Sequence, residues 1–421
     1  MTPFPDRRMC FRMTIDDHPL NMEPDAWKKE YLDGIAHVLF SMFKNDSFAW
    51  TFFACWTESL TGNQPETLVK VQDNPLKVTL RLRRRGLRFY RYTYPFLFDC
   101  YYLAEAIDPR SLNKLHSFFA KRLNSHSREK ALEQVNGYFR YGSACNRIPA
   151  SLAAHRRQNI IFSQKGPKRI LVCGNSTSGK SMVINALSGK SVIKTSNVPS
   201  RQPCFCLYSK PAEPLSLFNK DGIFSHGVFS AMEFPNSEDF DCIGTTFITT
   251  LGQSSIVFID TCGYNQCYED DINPVRALIE ERNYDLLLYV SNSQYFATND
   301  EKSLLDDIHY LCDKPVVFVL NKIDRFSQRD DSIGKMLGDA KDMLSESGLK
   351  DAPVIPFSAL AALCLQLGDK FDKEDHELLT RKFSLPYYDL PKYLSGKESG
   401  SSLDKTGLTL LAGMIKKLLS I

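Results

Sequence analysis

The fold is decided by one stretch of the sequence, Gly174-Asn175-Ser176-Thr177-Ser178-Gly179-Lys180-Ser181, which has the pattern GxxxxGKS. An apolar run, residues 170–173, precedes this stretch, and a run that favours helix, residues 182–187, follows it. The two glycines allow the backbone to curl around an anion, while Lys180 brings a positive charge and Ser181 a hydroxyl for Mg²⁺. The helix that follows points the positive end of its dipole at the same anion. A chance match on a turn is the alternative, but the flanking strand and helix favour a phosphate-binding loop.

A second apolar run, residues 257–259, ends at Asp260 and continues as Thr-Cys-Gly263. A carboxylate in this position lies at the carboxyl edge of a parallel sheet, where such folds bind nucleotides. We therefore expect Asp260 to hold Mg²⁺ through water and the backbone N–H of Gly263 to sense a γ-phosphate. The pattern DxxG is common by chance, and its weight here comes from its place after the loop.

A third apolar run, residues 316–320, is followed by Asn321-Lys322-Ile323-Asp324. The carboxylate of Asp324 can accept two N–H bonds from guanine, whereas adenine offers no such donor pair. Asn321 is expected to brace the neighbouring loops, and the stem of Lys322 to lie along the base. The alternative is a helix N-cap after a strand, with Asp324 as an ordinary surface acid.

The last piece is Pro356-Phe-Ser358-Ala359-Leu360, after another short apolar strand. Small residues at a strand end let a backbone N–H reach the O6 atom of guanine, so Ser358 and Ala359 join the predicted site. On its own this short stretch indicates little.

These four pieces, in this order, resemble the G1, G3, G4 and G5 elements of the translation-factor-related P-loop GTPases over residues 168–421. Within that class the order of features resembles most the dynamin-like and Era-like G domains. The resemblance implies binding of GTP and GDP, hydrolysis of GTP to GDP and phosphate, and Mg²⁺ as cofactor. The segment 197–203 is similar to the dynamin-type first switch, which implies Ser200 as a hydroxyl ligand of Mg²⁺, with Thr195 as the alternative.

The resemblance implies a defined set of site residues. The nucleotide is expected to contact residues of the four motifs: Gly174, Asn175, Ser176, Thr177, Ser178, Gly179, Lys180, Ser181, Met182, Gly263, Asn321, Lys322, Asp324, Ser358 and Ala359. Catalysis is assigned to Thr177, Lys180 and Ser200, and the metal ligands are Ser181, Ser200 and Asp260.

The chain also departs from the family pattern near the γ-phosphate. Tyr264 stands where Ras-type enzymes carry a water-orienting Gln. Dynamin-like proteins use a loop hydroxyl instead, and Thr177 falls at that position, but Ser176 stands where larger members have a Gln. Nucleotide binding is unaffected by these changes. We expect slow hydrolysis without dimerisation through the G domain or a partner, and a nucleotide-binding module without hydrolysis is the alternative.

Strands alternate with helices after residue 166, which predicts an α/β fold with a doubly wound, mostly parallel sheet. The predicted strands are 171–173, 246–251, 256–259, 286–290, 316–320 and 354–356. The predicted helices are 181–187, 274–281, 300–311, 333–347 and 408–419. We expect a G domain over residues 166–421, with insertions near 210–241 and 367–406.

Residues 1–160 are predicted to form a mainly helical N-terminal domain, because apolar side chains recur with helical spacing in 23–43, 111–123 and 128–139. Residues 77–94 alternate in a way that suits strands or a helix face equally. The basic and aromatic residues from Arg81 to Arg91 could contact RNA or anionic lipid, or form one solvated face. Residues 48–56 are strongly aromatic and suit either a membrane interface or a buried helix.

Bulk composition sets limits on partners and location. With 421 residues, two domains are the natural expectation. The net charge is only +3, from 52 basic and 49 acidic residues, so charge alone favours neither a nucleic-acid nor a membrane partner. No apolar stretch reaches the ~18 residues that span a bilayer, and the N-terminus lacks a signal-peptide core. The 12 cysteines show no metal or disulfide spacing, so we expect a cytoplasmic protein, with peripheral membrane contact as the alternative.

Overall fold

The computed structural model describes residues 11–13, 17–44, 46–62, 92–123, 125–163, 166–193, 204–212, 215–218, 224–227, 242–265, 273–295, 298–326 and 332–421. The chain divides into two compact units. The α/β unit contains Gly166–Lys210 and Phe229–Ile421, and the helical unit contains Asp6–Lys165 and Pro211–Val228. The segment expected as an insertion near 210–241 is thus divided, and its first half belongs to the helical unit.

Within the described residues the strands, in chain order, are β1 (Lys168–Cys173), β2 (Cys204–Ser209), β3 (Leu215–Phe218), β4 (Phe224–Gly227), β5 (Cys242–Thr245), β6 (Ile256–Thr261), β7 (Leu286–Asn292), β8 (Val316–Asn321) and β9 (Val354–Pro356). The helices of the helical unit are α1 (Asp25–Phe43), α2 (Ser47–Thr61), α3 (Thr93–Ile107), α4 (Leu112–Ala120), α5 (His126–Tyr141) and α6 (Ala150–Ser163). Those of the α/β unit are α7 (Lys180–Ser188), α8 (Pro274–Glu281), α9 (Asn299–Leu311), α10 (Ile333–Glu346), α11 (Ala359–Leu367), α12 (Lys373–Ser384), α13 (Lys392–Ser395), α14 (Ser402–Lys405) and α15 (Leu408–Leu419).

The sheet of the α/β unit has the strand order β5-β2-β6-β1-β7-β8-β9. Its pairings are parallel except for the antiparallel pair β2–β6. Strands β1, β6, β7 and β8 are buried along nearly their whole length, as expected when helices cover both faces of a parallel sheet. The predicted α/β class with a mostly parallel sheet is confirmed.

The chain changes direction across the sheet at β1. The next strand of the parallel core, β6, pairs with one side of β1, and the later strand β7 pairs with its other side. This position is a topological switch point, where the loops after neighbouring strands diverge and leave a crevice at the carboxyl edge. The GxxxxGKS loop follows β1 directly and therefore lies at that crevice.

The predicted strand 246–251 is wrong. Strand β5 ends at Thr245, and the chain then turns sharply into a 3₁₀ turn, Thr250–Gln253. Phe247 and Leu251 are buried while Ile248 is 58% exposed, and burial four residues apart suits one face of a strand as well as one face of a helical turn. Apolar content alone could not distinguish these cases.

The helical unit is organised around α3, in which 13 of 15 residues are buried. Aromatic side chains dominate its core: Trp56 lies 5.2 Å from Tyr102, and Phe98 lies 5.2 Å from Phe139, between ring centroids. Residues 48–56 lie in α2, where Phe48, Phe52 and Trp56 are at most 1% exposed. The structure thus shows a buried helix there and not a membrane-facing one. Residues 81–91 lie outside the described part of the chain.

The helical unit also buries charged groups in pairs. Asp99 accepts hydrogen bonds from His18 at 3.0 Å and from Tyr31 at 2.5 Å, all within the core. The guanidinium of Arg156 donates two hydrogen bonds to the carboxylate of Glu105, at 2.8 and 2.9 Å. Strands β3 and β4 form an antiparallel pair in the same unit. None of the described helices is both long and apolar enough to cross a membrane.

Candidate functional site

The GxxxxGKS loop is held against the sheet by close contacts at its two glycines. A Cβ atom on Gly174 would lie 2.1 Å from the carbonyl oxygen of Val290 on β7. Gly179 has a φ of +94°, and a Cβ there would lie 2.5 Å from Nδ2 of Asn321. A side chain at 174 would require the backbone to move, and one at 179 would be strained by the positive φ and would displace the Asn321 amide, so both glycines favour this path of the loop.

The loop of residues 321–324 is joined to the phosphate-loop segment by two hydrogen bonds. The Asn321 amide donates to the Ser178 carbonyl at 3.0 Å, and the Lys322 ammonium donates to the Thr177 carbonyl. Thr177 and Lys322 themselves adopt φ values of +63° and +66°, a left-handed conformation that is uncommon for residues with side chains. Conformations of this kind persist only where surrounding contacts hold them, and they cluster at functional sites.

Lys180 begins α7 and is 7% exposed. Its ammonium donates to the carbonyl oxygens of Gly174 at 3.1 Å and Asn175 at 3.0 Å. Burial lowers the pKa of Lys180, and the nearby charge of Asp260 opposes this shift. The loop therefore surrounds a desolvated cation, whose attraction for a phosphate anion is stronger than that of a hydrated surface lysine.

Asp260 lies at the carboxyl end of β6, beside the end of β1, where it pairs in register with Val172. It is 8% exposed, and its Oδ2 atom accepts a hydrogen bond from the Ser181 hydroxyl at 2.5 Å. Burial raises the pKa of Asp260 to about 6, while Lys180 and the Ser181 hydrogen bond act in the opposite direction. Among the described residues, its Oδ1 atom is buried without a hydrogen-bond partner.

This pair fits a magnesium ion. Mg²⁺ prefers oxygen ligands, keeps several waters and takes few ligands from the protein. Ser181 and Asp260 supply a hydroxyl and a carboxylate side by side, and the unpartnered Oδ1 atom is an orphaned acceptor that a cation can satisfy. Within the described ranges no three His, Cys, Asp or Glu side chains come together as a metal cluster. Ser200 and Thr195, expected to supply a further hydroxyl, lie outside the described residues.

The DxxG segment packs closely against the phosphate loop. A Cβ atom at Gly263 would lie 2.6 Å from the backbone nitrogen of Ser176. The Ser176 N–H donates to the Asn265 side-chain oxygen at 2.8 Å, and the Tyr264 N–H donates to the Gly174 carbonyl at 3.2 Å. Glycine at 263 is what permits this close approach.

Tyr264 directs its hydroxyl away from the loop. It donates to Asp307 on α9 at 2.5 Å, and the same carboxylate pairs with Arg276 at 3.3 Å. Burial and the Asp307 carboxylate raise the pKa of Tyr264. Sequence reasoning noted Tyr264 as a departure but missed Asp307 and Asn265. The position of Asn265, two residues after the DxxG glycine, was the only available signal.

Asp324 lies in a short 3₁₀ turn, Ile323–Arg325, and does not cap a helix. Its Oδ1 atom accepts a hydrogen bond from the Ser358 hydroxyl at 2.6 Å. Ser358 is fully buried and is the residue that caps α11, accepting from the Ala361 N–H at 3.3 Å. The side chain of Asn321 completes the connection, because its oxygen accepts from the Ala359 N–H at 3.1 Å. The structure thus brings the 321–324 and 358–359 segments together.

Most of the predicted residues lie along one edge of the sheet. Residues 174–182, Asp260, Gly263, Asn321, Lys322, Asp324, Ser358 and Ala359 follow the carboxyl ends of β1, β6, β8 and β9. Met182 is half-buried in the first turn of α7. Thr177 is exposed at the loop apex. Of the predicted set, Ser200 alone lies outside the described residues.

Comparisons with known proteins give only distant matches. No family model and no curated protein sequence matches the chain. It resembles a solved structure of an oligomerised bacterial dynamin pair, described as sensing and tethering membranes, at 13% identity and a TM-score of 0.40 over 92% of this chain and 67% of that one. It also resembles Aquifex aeolicus Era bound to GDP·AlF4⁻, at 20% identity and a TM-score of 0.30 over 46% of this chain and 51% of that one. Toc33 from Arabidopsis thaliana matches at 16% identity and a TM-score of 0.31, over 49% of this chain and 75% of that one.

The chain spans about half the length of the Era structures that it matches. The matches include both kinds of protein, Era and a bacterial dynamin, that the order of motifs indicated. Because these TM-scores are low, the argument about function rests on the residues of the site.

Proposed function

We propose that this chain binds GTP and GDP with Mg²⁺ and hydrolyses GTP to GDP and phosphate as a regulatory switch. One observation carries the proposal: the Asn321 side chain bonds both the phosphate loop, at Ser178, and the segment beside Asp324, at Ala359. The phosphate-binding and base-binding parts are therefore one connected site. A nucleotide lying along this edge would have its phosphates at residues 174–181 and its base at Asp324.

At the phosphate end, the buried Lys180 cation and the loop N–H groups would bind the β- and γ-phosphate oxygens. Ser181 and Asp260 would hold Mg²⁺, which neutralises phosphate charge when bound. Gly263, which closely approaches Ser176, is the candidate contact for the γ-phosphate. Ser200 is retained in the proposal as the first-switch hydroxyl.

At the base end, the Asp324 carboxylate would accept the N1–H and N2–H bonds of guanine. The Ser358 hydroxyl already bonds one of its oxygens, which limits rotation of the carboxylate. Adenine lacks the donor pair and would leave the remaining acceptor sites of a partly buried carboxylate unsatisfied. The Ala359 N–H donates to the Asn321 side chain and the Ser358 N–H donates to the Thr406 carbonyl, so a contact of either N–H with the O6 atom of guanine would be shared with these acceptors.

Hydrolysis requires water to attack the γ-phosphorus while the bond to the β-phosphate oxygen breaks. The Tyr264 hydroxyl is bonded to Asp307 and is not available to orient this water. The exposed hydroxyl of Thr177 remains the candidate from the phosphate loop. We infer slow turnover for the single chain, accelerated by a second copy that meets it through the G domain or by another partner.

The proposal places the protein in the cytoplasm, with peripheral membrane contact as the alternative. No disulfide is formed among the ten cysteines in the described part of the chain, which suits a reducing compartment. We propose a mainly helical domain over residues 1–160 and a GTPase domain over residues 166–421. Contact of residues Arg81–Arg91 with RNA or lipid is an alternative, which co-sedimentation with vesicles and with RNA tests.

The test is a nucleotide titration of wild type, Lys180→Ala and Asp324→Asn, with phosphate release followed in parallel. Lys180→Ala is expected to weaken GTP binding at least a hundredfold, because a buried cation–phosphate pair is lost. Asp324→Asn is expected to weaken GTP by a similar factor and to strengthen xanthosine triphosphate, whose O2 acceptor replaces the N2 donor of guanine.

Asp339→Asn, an exposed substitution on α10, serves as the control and is expected to leave every affinity unchanged. An Asp324→Asn variant with the preference of wild type for GTP over ATP would show that the guanine assignment is wrong. Binding of GTP without phosphate release at any protein concentration would favour the nucleotide-binding module that does not hydrolyse GTP.

A further inference from the structure

The segment after α11 contacts the loop that carries Asp324. Residues 373–406, here called the brace segment, contain α12, α13 and α14. The Lys382 ammonium on α12 donates to the backbone carbonyl of Asp324. The Tyr388 hydroxyl donates to the backbone carbonyl of Phe326 at 2.6 Å. The brace segment therefore holds the Asp324 turn at two carbonyls, two residues apart.

These two donors belong to one packed cluster. The Lys382 ammonium lies 4.8 Å from the centroid of the Tyr388 ring, within cation–π distance. The Tyr388 ring is 3% exposed and lies 5.6 Å from the ring of Phe383, which is fully buried. A hydrogen-bond donor that is fixed by packing restricts the position of its acceptor more than a mobile surface lysine does.

The brace segment also supports the second base-side loop at its other end. The Ser358 N–H donates to the carbonyl of Thr406 at 3.1 Å. The next residue, Gly407, has a φ of +86°, and a Cβ there would lie 2.4 Å from the carbonyl oxygen of Pro356. Since the Ser358 hydroxyl donates to the Asp324 carboxylate, both supports act on Asp324, one through its backbone and the other through its side chain.

We propose that Lys382, together with Tyr388, is a positioning residue that sets selectivity for the exocyclic amine of guanine. The inference rests on the proposed function, because it assigns Asp324 to the base. A carboxylate accepts N1–H and N2–H together only when both of its oxygens lie in reach and near the plane of the base. The hydrogen bond to the backbone of Asp324 fixes the position from which its side chain extends, and the Ser358 hydrogen bond to Oδ1 then restricts the plane of the carboxylate. When the hydrogen bonds to the Asp324 turn are lost, the carboxylate no longer accepts both N–H bonds of guanine, while the phosphate contacts stay intact.

The experiment compares the full chain with Lys382→Met, Tyr388→Phe and Lys382→Arg, in the presence of Mg²⁺. Dissociation constants are measured for GDP, for inosine diphosphate, which lacks the N2 amine, and for ADP. Wild type is expected to prefer GDP over inosine diphosphate by about tenfold, the value of one hydrogen bond to a charged acceptor. In Lys382→Met this ratio is expected to fall to about twofold, with affinity for ADP unchanged.

Two variants separate positioning from a general loss of structure. Tyr388→Phe keeps the packed ring and removes only the hydroxyl, so it is expected to fold and to lower the ratio by about threefold. Lys382→Arg keeps a cationic donor and is expected to restore the ratio to within about twofold of wild type. Lys405→Met is the matched control, since Lys405 lies in the same brace segment and donates to the Ser384 carbonyl at 3.2 Å, away from Asp324. Its ratio is expected to equal that of wild type.

An unchanged ratio of GDP to inosine diphosphate affinity in both Lys382→Met and Tyr388→Phe would overturn the positioning role. If wild type still preferred GDP over ADP in that case, guanine binding would stand and this inference alone would fail. Equal affinity of wild type for GDP and ADP would instead remove the proposed function, and this inference with it.

Discussion

Asn321 is 2% exposed, and its carboxamide makes one hydrogen bond to the backbone of each of two neighbouring loops. The amide donates to the Ser178 carbonyl and the oxygen accepts from the Ala359 N–H. Asn321→Ala leaves both groups buried and unpaired, so we expect it to lower the free energy of unfolding by about 2–4 kcal/mol. Chemical denaturation followed by circular dichroism measures this change, and GDP affinity is expected to fall with it.

The control for this prediction is Asn299→Ala, an exposed asparagine at the start of α9. Its effect is expected to stay within about 0.5 kcal/mol of wild type. Equal and small effects of the two substitutions would show that Asn321 does not connect the loops energetically.

At the scale of single residues, the sequence predicted much of the candidate site because its signals are local. GxxxxGKS, Asp260 and Asp324 each follow an apolar run, and the carboxyl ends of parallel strands meet at one edge of the sheet. Asn265, Asp307 and Lys382 could not be predicted in this way. Each acts through a contact with a residue far along the chain, and only Asn265 has a local signal, its position two residues after the DxxG glycine.

The Tyr264 side chain connects the DxxG segment to α9. The Tyr264 hydroxyl donates to Asp307, which is also paired with Arg276. We expect Tyr264→Phe to free the DxxG segment, because one hydrogen bond to a carboxylate is lost while the Asp307–Arg276 pair remains. Gly263 can then move away from Ser176 at a lower cost in free energy. The affinity for a non-hydrolysable GTP analogue is expected to rise about fivefold relative to the affinity for GDP.

Titration with the two nucleotides checks this expectation. Tyr310→Phe on the same helix is the control, since Tyr310 is 77% exposed. A ratio of GTP-analogue to GDP affinity that stays at the wild-type value in Tyr264→Phe would count against a restraining role for the Asp307 bond.

At the scale of elements, prediction succeeded for several helices with one buried face and failed for α3, which is buried on nearly all sides. Helices α8, α10 and α15 have clear apolar faces and were predicted to within a residue or two. Helix α3 is buried at 13 of its 15 residues, so it shows no helical periodicity and was not predicted. Helix α12 does bury Leu379 and Phe383 four residues apart, but it lies in the stretch 367–406 that the sequence predicts as an insertion.

At the scale of the whole molecule, the proposed hydrolysis needs groups that orient the attacking water. Thr177 is exposed, and the Tyr264 hydroxyl is bonded to α9, so the described part of the chain presents few such groups. A second copy that met the site could add such groups and exclude water, which together commonly contribute a hundredfold or more to rate. Phosphate release per chain is then expected to rise with protein concentration.

This dependence is measured at saturating GTP and Mg²⁺ over about a hundredfold range of concentration, with sedimentation of the same samples. Mixing wild type with an excess of Lys180→Ala distinguishes two causes of a rise. If the copies act on each other through bound nucleotide, the excess of a chain that cannot bind GTP leaves the rate per wild-type chain low. If the second chain only contributes surface, the mixture becomes as active as concentrated wild type. A rate per chain that is constant across the whole range, with no dimer in the sedimentation profile, would assign the acceleration to a different partner.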